Sequence, residues 1–373
     1  MFSLYKQSSE KITYYDNNSM KERQKMKILF VNMLLPQYIR GHNNLDNKMI
    51  EFFSKVGSLY VMMTESNGLK IPYDVITVKR KWDKEGNNVH SYALQVVKWV
   101  QQLDSREHFD FIIFESFDTV VMSLAYLIIR LSNKRIYVMH HNNIDNIELS
   151  KYAKMLFLMY CKNIHHITLD EFIGDHLEKH FCIHRSKILS LPHPMCGKTE
   201  SSMRERRYDC VGISNSNDEE WIRKLVSKEK QTDWFTRHKK YAVFKSKTIQ
   251  FDNGFLKVIN GFIDEKEYEY YYGNAKRVFL PFPYDFRYRM SGSLIDALSN
   301  RSIVIGTKIP VIERYSEKYP TVCKYVEAID ELLEMIKIDD YKYDDYAFDL
   351  FFDEHSDMNI QEIILEEFKE GTK

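Results

Sequence analysis

Short unbroken apolar blocks alternate along this chain with longer stretches whose apolar positions return every three to four residues. The first block is Lys27 to Met33 (KILFVNM), continuous as expected of a parallel strand buried on both faces. A loop with Pro36, Gly41 and His42 follows, then a helical pattern from Asn44 to Lys55 and a strand from Leu59 to Met63. Asp74 to Lys79 reads as a further strand and Val89 to Leu103 as a helix. The alternation continues with strands at Phe109–Phe114, Arg135–Met139, His165–Thr168 and Ile188–Leu191, and with helices at Thr119–Ser132 and Glu148–Cys161. Strands alternating with helices of this length predict a parallel sheet covered by helices on both faces.

A second series starts at Tyr208–Ile213, with helices predicted at Asp218–Lys228 and Asp264–Tyr272 and a strand at Phe255–Ile259. The segment Gln231–Asp252 matches neither period. Val278–Leu280 is a strand, Leu294–Ser299 a helix and Ser302–Ile305 a strand followed by a turn marked by Pro310. After Val326 a helix extends to Ile336, and another is predicted near Ile360–Lys369. The class is therefore α/β, with two doubly wound, Rossmann-like domains facing a cleft between the carboxyl ends of their sheets.

This gives a first domain over residues 26–196, a polar linker over 197–207 and a second domain over 208–340. Residues 341–373 form an acidic, aromatic segment and a helix expected to pack back on the first domain. Residues 1–25 are a polar extension without the apolar core of a signal peptide. Thr119–Leu131 is too short to span a bilayer and reads as a buried helix.

Composition narrows the functional classes. The chain has 373 residues, 44% of them hydrophobic, enough for two cores. Its 53 basic and 53 acidic residues cancel, so no nucleic-acid partner is expected. The five cysteines are scattered without Cys-x-x-Cys spacing, as expected of reduced thiols in a cytoplasmic protein.

The chemistry concentrates between Val278 and Val311. Ser291-Gly292-Ser293 opens a helix just after Arg287 and Arg289, and a helix N-terminus with small residues attracts anions. Asp296, one turn in, is placed to accept from a sugar hydroxyl. The local pattern alone fits an ordinary capped helix equally well. In the first domain His140 and His141 end a strand, where ligands of parallel sheets bind, and His42 lies in the loop after the first strand. Each is a candidate general base. His193, in the LPHP turn, reads as structural or donor-adjacent. Lys151, Lys154 and Lys162 mix with Met155, Leu156 and Leu158 in a helix that fits either burial or rest on an anionic membrane surface.

The order of these elements resembles a GT-B glycosyltransferase of the bacterial, nucleotide-sugar-dependent, group 1-like kind. The resemblance rests on Gly261 before a helix, Leu280-Pro281, Asp296-Ala297 and Ile309-Pro310, and more weakly on KILFVNM, FDFIIFES, RIYVMHHN and LPHP. It spans roughly residues 26 to 340. It implies an acceptor-binding first domain and a second domain that holds a nucleotide sugar through Ser214, Lys245, Arg289, Ser291, Gly292, Ser293 and Asp296. The acceptor would be a glycan or a lipid-linked glycan, with a peripheral contact to the inner face of the cell membrane.

Many retaining members carry a second acid eight positions before the Asp296 equivalent. Tyr288 stands there instead, which leaves retention or inversion open. No Asp-x-Asp occurs, so no metal or other cofactor is expected. Two alternatives stay open: a catalytically idle GT-B protein acting as a partner or glycan-binding subunit, and a nucleotide-sugar epimerase, disfavoured because the sequence displays no paired carboxylates.

Overall fold

The computed structural model describes residues 26–33, 43–64, 69–72, 74–80, 89–129, 135–196, 206–339 and 344–370. The N-terminal extension, His42 and most of the predicted linker lie outside the described residues.

Seven strands form the first sheet: β1 (Lys27–Asn32), β2 (Ser58–Thr64), β3 (Ile76–Arg80), β4 (Phe111–Phe114), β5 (Arg135–His140), β6 (His165–Thr168) and β7 (Ile188–Ser190). Their order is β3-β2-β1-β4-β5-β6-β7, parallel throughout. The second sheet holds β8 (Cys210–Gly212), β9 (Ala242–Ser246), β10 (Phe251–Asp252), β11 (Leu256–Asn260), β12 (Arg277–Leu280), β13 (Ile303–Thr307) and β14 (Cys323–Val326). It runs β10-β11-β9-β8-β12-β13-β14, and only the short edge strand β10 is antiparallel. Apart from that edge, both sheets repeat the doubly wound order in which the first strand lies centrally.

The apolar blocks are uninterrupted because helices cover both faces of each sheet. Along β1, Leu29 and Val31 turn to a core shared with Val96 and Val100, while Ile28 and Phe30 turn to one shared with Met49 and Phe53. The last helix, Asp357–Glu370, supplies Ile360, Ile364 and Phe368 to that second core. Phe368 meets Phe53, Phe111 and Tyr137 at ring-centroid distances of 5.7, 4.8 and 5.2 Å. The end of the chain thus crosses back to the first sheet.

Four departures from the sequence pattern have local causes. The stretch Glu148–Cys161 is not one helix. Asn143–Leu149 and Lys151–Leu158 are separated by Ser150, whose hydroxyl caps the second by accepting from the Ala153 N–H at 3.2 Å. The helix Glu171–Phe181 carries a weaker signal, an Asp170 cap followed by Ile173, Leu177 and Phe181 at four-residue spacing. Pro310 starts a helix, Pro310–Lys318, rather than a turn, since a first-turn proline lacks an N–H that the helix does not use. The unassigned Gln231–Asp252 stretch contains the helix Trp234–His238 and the interior strand β9. Buried Glu229 organises it by accepting from the Phe235 N–H (2.7 Å), the Thr236 hydroxyl (2.8 Å) and Asn253 (2.7 Å).

Candidate functional site

The carboxyl edges of the two sheets meet. Asp145, beyond the end of β5, is buried and accepts from the backbone N–H groups of Arg287 (3.2 Å) and Tyr288 (2.6 Å), in the loop after β12. The Arg289 Nε lies 3.0 Å from the same carboxylate. Next to it the Tyr288 ring stacks on His176 with centroids 3.6 Å apart. A second bridge joins Asp170, after β6, to the Tyr315 hydroxyl at 3.1 Å, and Tyr315 also contacts His355. Met290 packs against cores of both domains. Strand-end loops of one domain are therefore held against those of the other, which is where ligands of such sheets bind.

On the first domain's wall, four polar side chains gather at the ends of β1, β4 and β5. Asp46, in the first turn of the helix Asn43–Ser54, is buried beside Asn32 and Glu115. Glu115, the residue after β4, is completely buried, and its Oε1 lies 2.7 Å from His141 Nε2. Burial, and next the Glu115 charge, push Asp46 up to about 8, while burial pushes Glu115 up to about 7. Near neutral pH the pair therefore shares protons. His141 is pulled down from its usual range by burial, against the opposing pull of Asp46 and its hydrogen bond to the Glu115 backbone carbonyl at 3.0 Å. A carbonyl oxygen only accepts, so Nε2 carries the proton and the lone pair sits on Nδ1.

His140 takes a different place from the one expected. It is almost fully buried, stacked on His166 with Nε2···Nδ1 at 2.8 Å, and edged by Phe117 and Phe157. Its burial holds it neutral. His140 is the last residue of β5 and His141 the first beyond it, and of the two only His141 stands with the carboxylates. His193 also turns inward, its carbonyl accepting from His355 at 2.7 Å.

On the second domain's wall, Ser291 is the N-cap of the helix Gly292–Ser299, and its hydroxyl accepts from the Leu294 N–H at 3.4 Å. A Cβ on exposed Gly292 would meet nothing within 4 Å, so the helix start is open above this residue. Asp296 accepts from the Tyr268 hydroxyl at 3.0 Å, and Ser293 lies 3.3 Å from that hydroxyl. Burial pushes Asp296 up to about 6. Ser214 follows β8 and accepts from the Ser216 N–H, while Lys245, on the adjoining β9, donates to Asn215. Desolvation lowers Lys245. Arg289 is turned to Asp145 and lies over the Phe286 ring at 4.1 Å. Ser291, Gly292, Ser293, Asp296 and Arg289 thus share one loop–helix junction, and Ser214 and Lys245 share the neighbouring strand ends of the same sheet. Cys196 senses both walls. Its thiol is raised to about 12 by burial first, then by Asp296, with Asp357 and Asp46 adding to it.

Asp46, Glu115 and Asp145 were missed from sequence, although Glu115 directly follows a strand and all three lie near strand ends on the carboxyl side. Charged residues beyond an apolar block are common, and only the fold brings these three to one edge. Among the described residues no group of three or more His, Cys, Asp or Glu side chains is arranged to hold a metal ion. A cavity of about 490 Å³ lined by Lys318, Tyr319, Leu350, Asp353, Glu354 and Asn359 contains none of the site residues.

Two Rossmann-like domains with facing carboxyl edges are the GT-B fold, the architecture of many glycosyltransferases. A glycosyltransferase from Rickettsia africae shares it with a TM-score of 0.59 at 12% identity, over 94% of this chain and 99% of that one. The lipopolysaccharide outer core galactosyltransferase WaaB matches at 0.58 and 11%, over 92% and 99%. The UDP-GlcNAc 2-epimerase of Methanocaldococcus jannaschii matches at 0.53 and 12%, over 91% and 98%. No protein-family model matches the sequence, and comparison with curated proteins finds no match.

Proposed function

We propose that this protein is a glycosyltransferase that moves a sugar from a nucleotide-diphosphate donor to a glycan or lipid-linked acceptor, without a metal, in the cytoplasm. The observation that carries the reading is the 2.7 Å contact of His141 with buried Glu115 at the carboxyl edge of the first sheet. A neutral histidine held in one tautomer by a hydrogen bond to a backbone carbonyl, with a carboxylate alongside, is a general base. Its Nδ1 takes the proton of the acceptor hydroxyl as that oxygen attacks the anomeric carbon and the nucleoside diphosphate departs. Glu115 then stabilises the imidazolium. This route inverts the anomeric centre.

The departing diphosphate would be met by N–H groups at Gly292 and Ser293, with Arg289 and Lys245 as cations. Asp296 would accept from a donor hydroxyl. A surface polysaccharide is the acceptor class favoured by the likeness to WaaB, whose name places its action on lipopolysaccharide.

A second reading has one observation in its favour. The adjacent carboxyls of Asp46 and Glu115 are the pair that the sequence did not display, and paired acids near neutrality suit proton removal and return at a sugar carbon, as an epimerase requires. Calorimetric titration with nucleoside diphosphates tests what both readings share: binding is expected, weakened about tenfold or more by Arg289→Ala. The transferase reading is separated by products, since it yields free nucleoside diphosphate and an elongated acceptor, whereas an epimerase yields an isomeric nucleotide sugar.

A further inference from the structure

The cavity that holds none of the site residues lies between the helices Pro310–Lys318 and Asp345–Glu354 and the start of Asp357–Glu370, and it measures about 490 Å³. The helix beside it carries apolar side chains into solvent. Tyr346 is 71% exposed and Leu350 43%, and Met358, on the next helix, is 73% exposed. Tyr346, Leu350 and Asp353 follow one another at helical spacing and so lie on one face. Residues 344–358 contain six acids and no lysine or arginine. Arg301 answers both Asp345 (2.9 Å) and Asp349 (2.7 Å), and Lys318 answers Glu354. Exposed Asp353 meets no cation among the described residues. The face is grooved, apolar and acidic.

Its complement stands elsewhere on the same chain. The helix Lys151–Leu158 buries Leu156 and Phe157 but exposes Tyr152, Met155 and Leu158, with exposed Leu149 and Met159 beside its ends. Residues 149–163 contain Lys151, Lys154 and Lys162 and no acid. Glu148 engages Lys154 at 3.0 Å, which leaves Lys151 and Lys162 exposed. Both faces are open in one chain, so neither covers the other. Across two copies they match, because the apolar side chains leave water together and lysines meet the acidic groove.

We infer that a second copy of this chain docks its Lys151–Leu158 face on the groove beside Asp345–Glu354. The contact joins unlike faces, so each copy keeps one face open and assembly proceeds head to tail. The inference goes beyond the transferase reading and is independent of it, since it is tested by molecular size with neither donor nor acceptor present.

Sedimentation velocity of the full chain over a range of concentrations is the test. The parent should form dimers and then larger species as concentration rises, and salt should weaken them. Tyr346→Glu/Leu350→Glu spoils the groove and Lys151→Glu/Met155→Glu spoils the basic face. Each should weaken association about tenfold or more, with the thermal unfolding of the parent because all four side chains are exposed. Mixed in equal amounts, the two variants keep one matched pair of faces. Association should then return as a dimer of one of each that grows no further, which also shows that both variants are folded. The inference is overturned by a parent that is monomeric at every soluble concentration, by association that either variant alone leaves intact, or by a mixture that stays monomeric.

Discussion

The backbone N–H of Tyr288 donates a 2.6 Å hydrogen bond to the buried carboxylate of Asp145, across the junction of the two domains. Arg287 N–H and Arg289 Nε converge on the same group, so one side chain of the first domain sets the conformation of the loop that leads into the Gly292–Ser299 helix. Burial raises Asp145, and the two backbone donors and the Arg289 charge oppose it. Asp145→Ala removes the acceptor of both N–H groups and the counter-charge of Arg289. It should cost about 3 kcal/mol of stability, read by denaturant unfolding, and should also weaken nucleoside diphosphate binding because Arg289 loses its anchor.

His141→Ala should lower kcat by about a hundredfold to ten-thousandfold with little change in donor affinity, as expected for loss of a general base. Glu115→Gln keeps the shape of the pair but loses the carboxylate, so it should lower kcat in the same direction. His140→Ala should act differently. Its ring is buried against His166 and Phe157, so the cost should fall on stability, measured as a lower melting temperature.

Stability should fall as pH rises through neutrality because of Asp46. An unfolded aspartate titrates near 4, whereas burial and Glu115 push the folded side chain up to about 8. Between those values the folded protein keeps a proton that the unfolded chain releases. The contribution is therefore present below pH 4 and lost toward pH 8. Asp46→Asn abolishes this dependence, so its melting temperature should gain on the parent's as pH increases from 5 to 8, by the equivalent of a few kcal/mol, on the order of magnitude linkage allows. Parallel curves for the two proteins would show that Asp46 does not hold the proton.

Gly292→Ala separates folding from binding. The added methyl meets nothing within 4 Å, and alanine suits a helix better than glycine, so stability should be unchanged or higher by about 0.5 to 1 kcal/mol. If a diphosphate sits on this helix start, the methyl obstructs its approach and nucleoside diphosphate affinity falls about tenfold. Ser291→Ala should instead lose about 1 kcal/mol, the worth of an N-cap.

Much of this architecture was legible in the sequence because buried parallel strands announce themselves as unbroken apolar blocks. KILFVNM, FDFIIFES and RIYVMHHN all became strands of the first sheet, and the RMSGSLIDAL junction became the loop and helix expected. What escaped had short-range signals outweighed by long-range contacts. The Gln231–Asp252 stretch depends on Glu229 and Asn253, which are far apart in sequence from parts of what they hold. Ser150 divides a helix whose apolar spacing continues through the break. The residue-level site was less legible. The adjacent pair His140-His141 offers two identical side chains, and only the end of β5 between them sends one into the core and the other to Glu115. Asp145 had no signal of its own, since its partners lie more than a hundred residues away in the other domain.

The most direct test follows nucleoside diphosphate release chromatographically from a panel of nucleotide sugars, with a chelator present and a pool of glycan and lipid-linked acceptors supplied. The parent is predicted to release the nucleoside diphosphate from at least one donor as the acceptor is extended, with the His141→Ala rate lower by about a hundredfold or more. Conversion of the donor to an isomeric nucleotide sugar, no release from any donor, or an undiminished rate in His141→Ala would contradict the account.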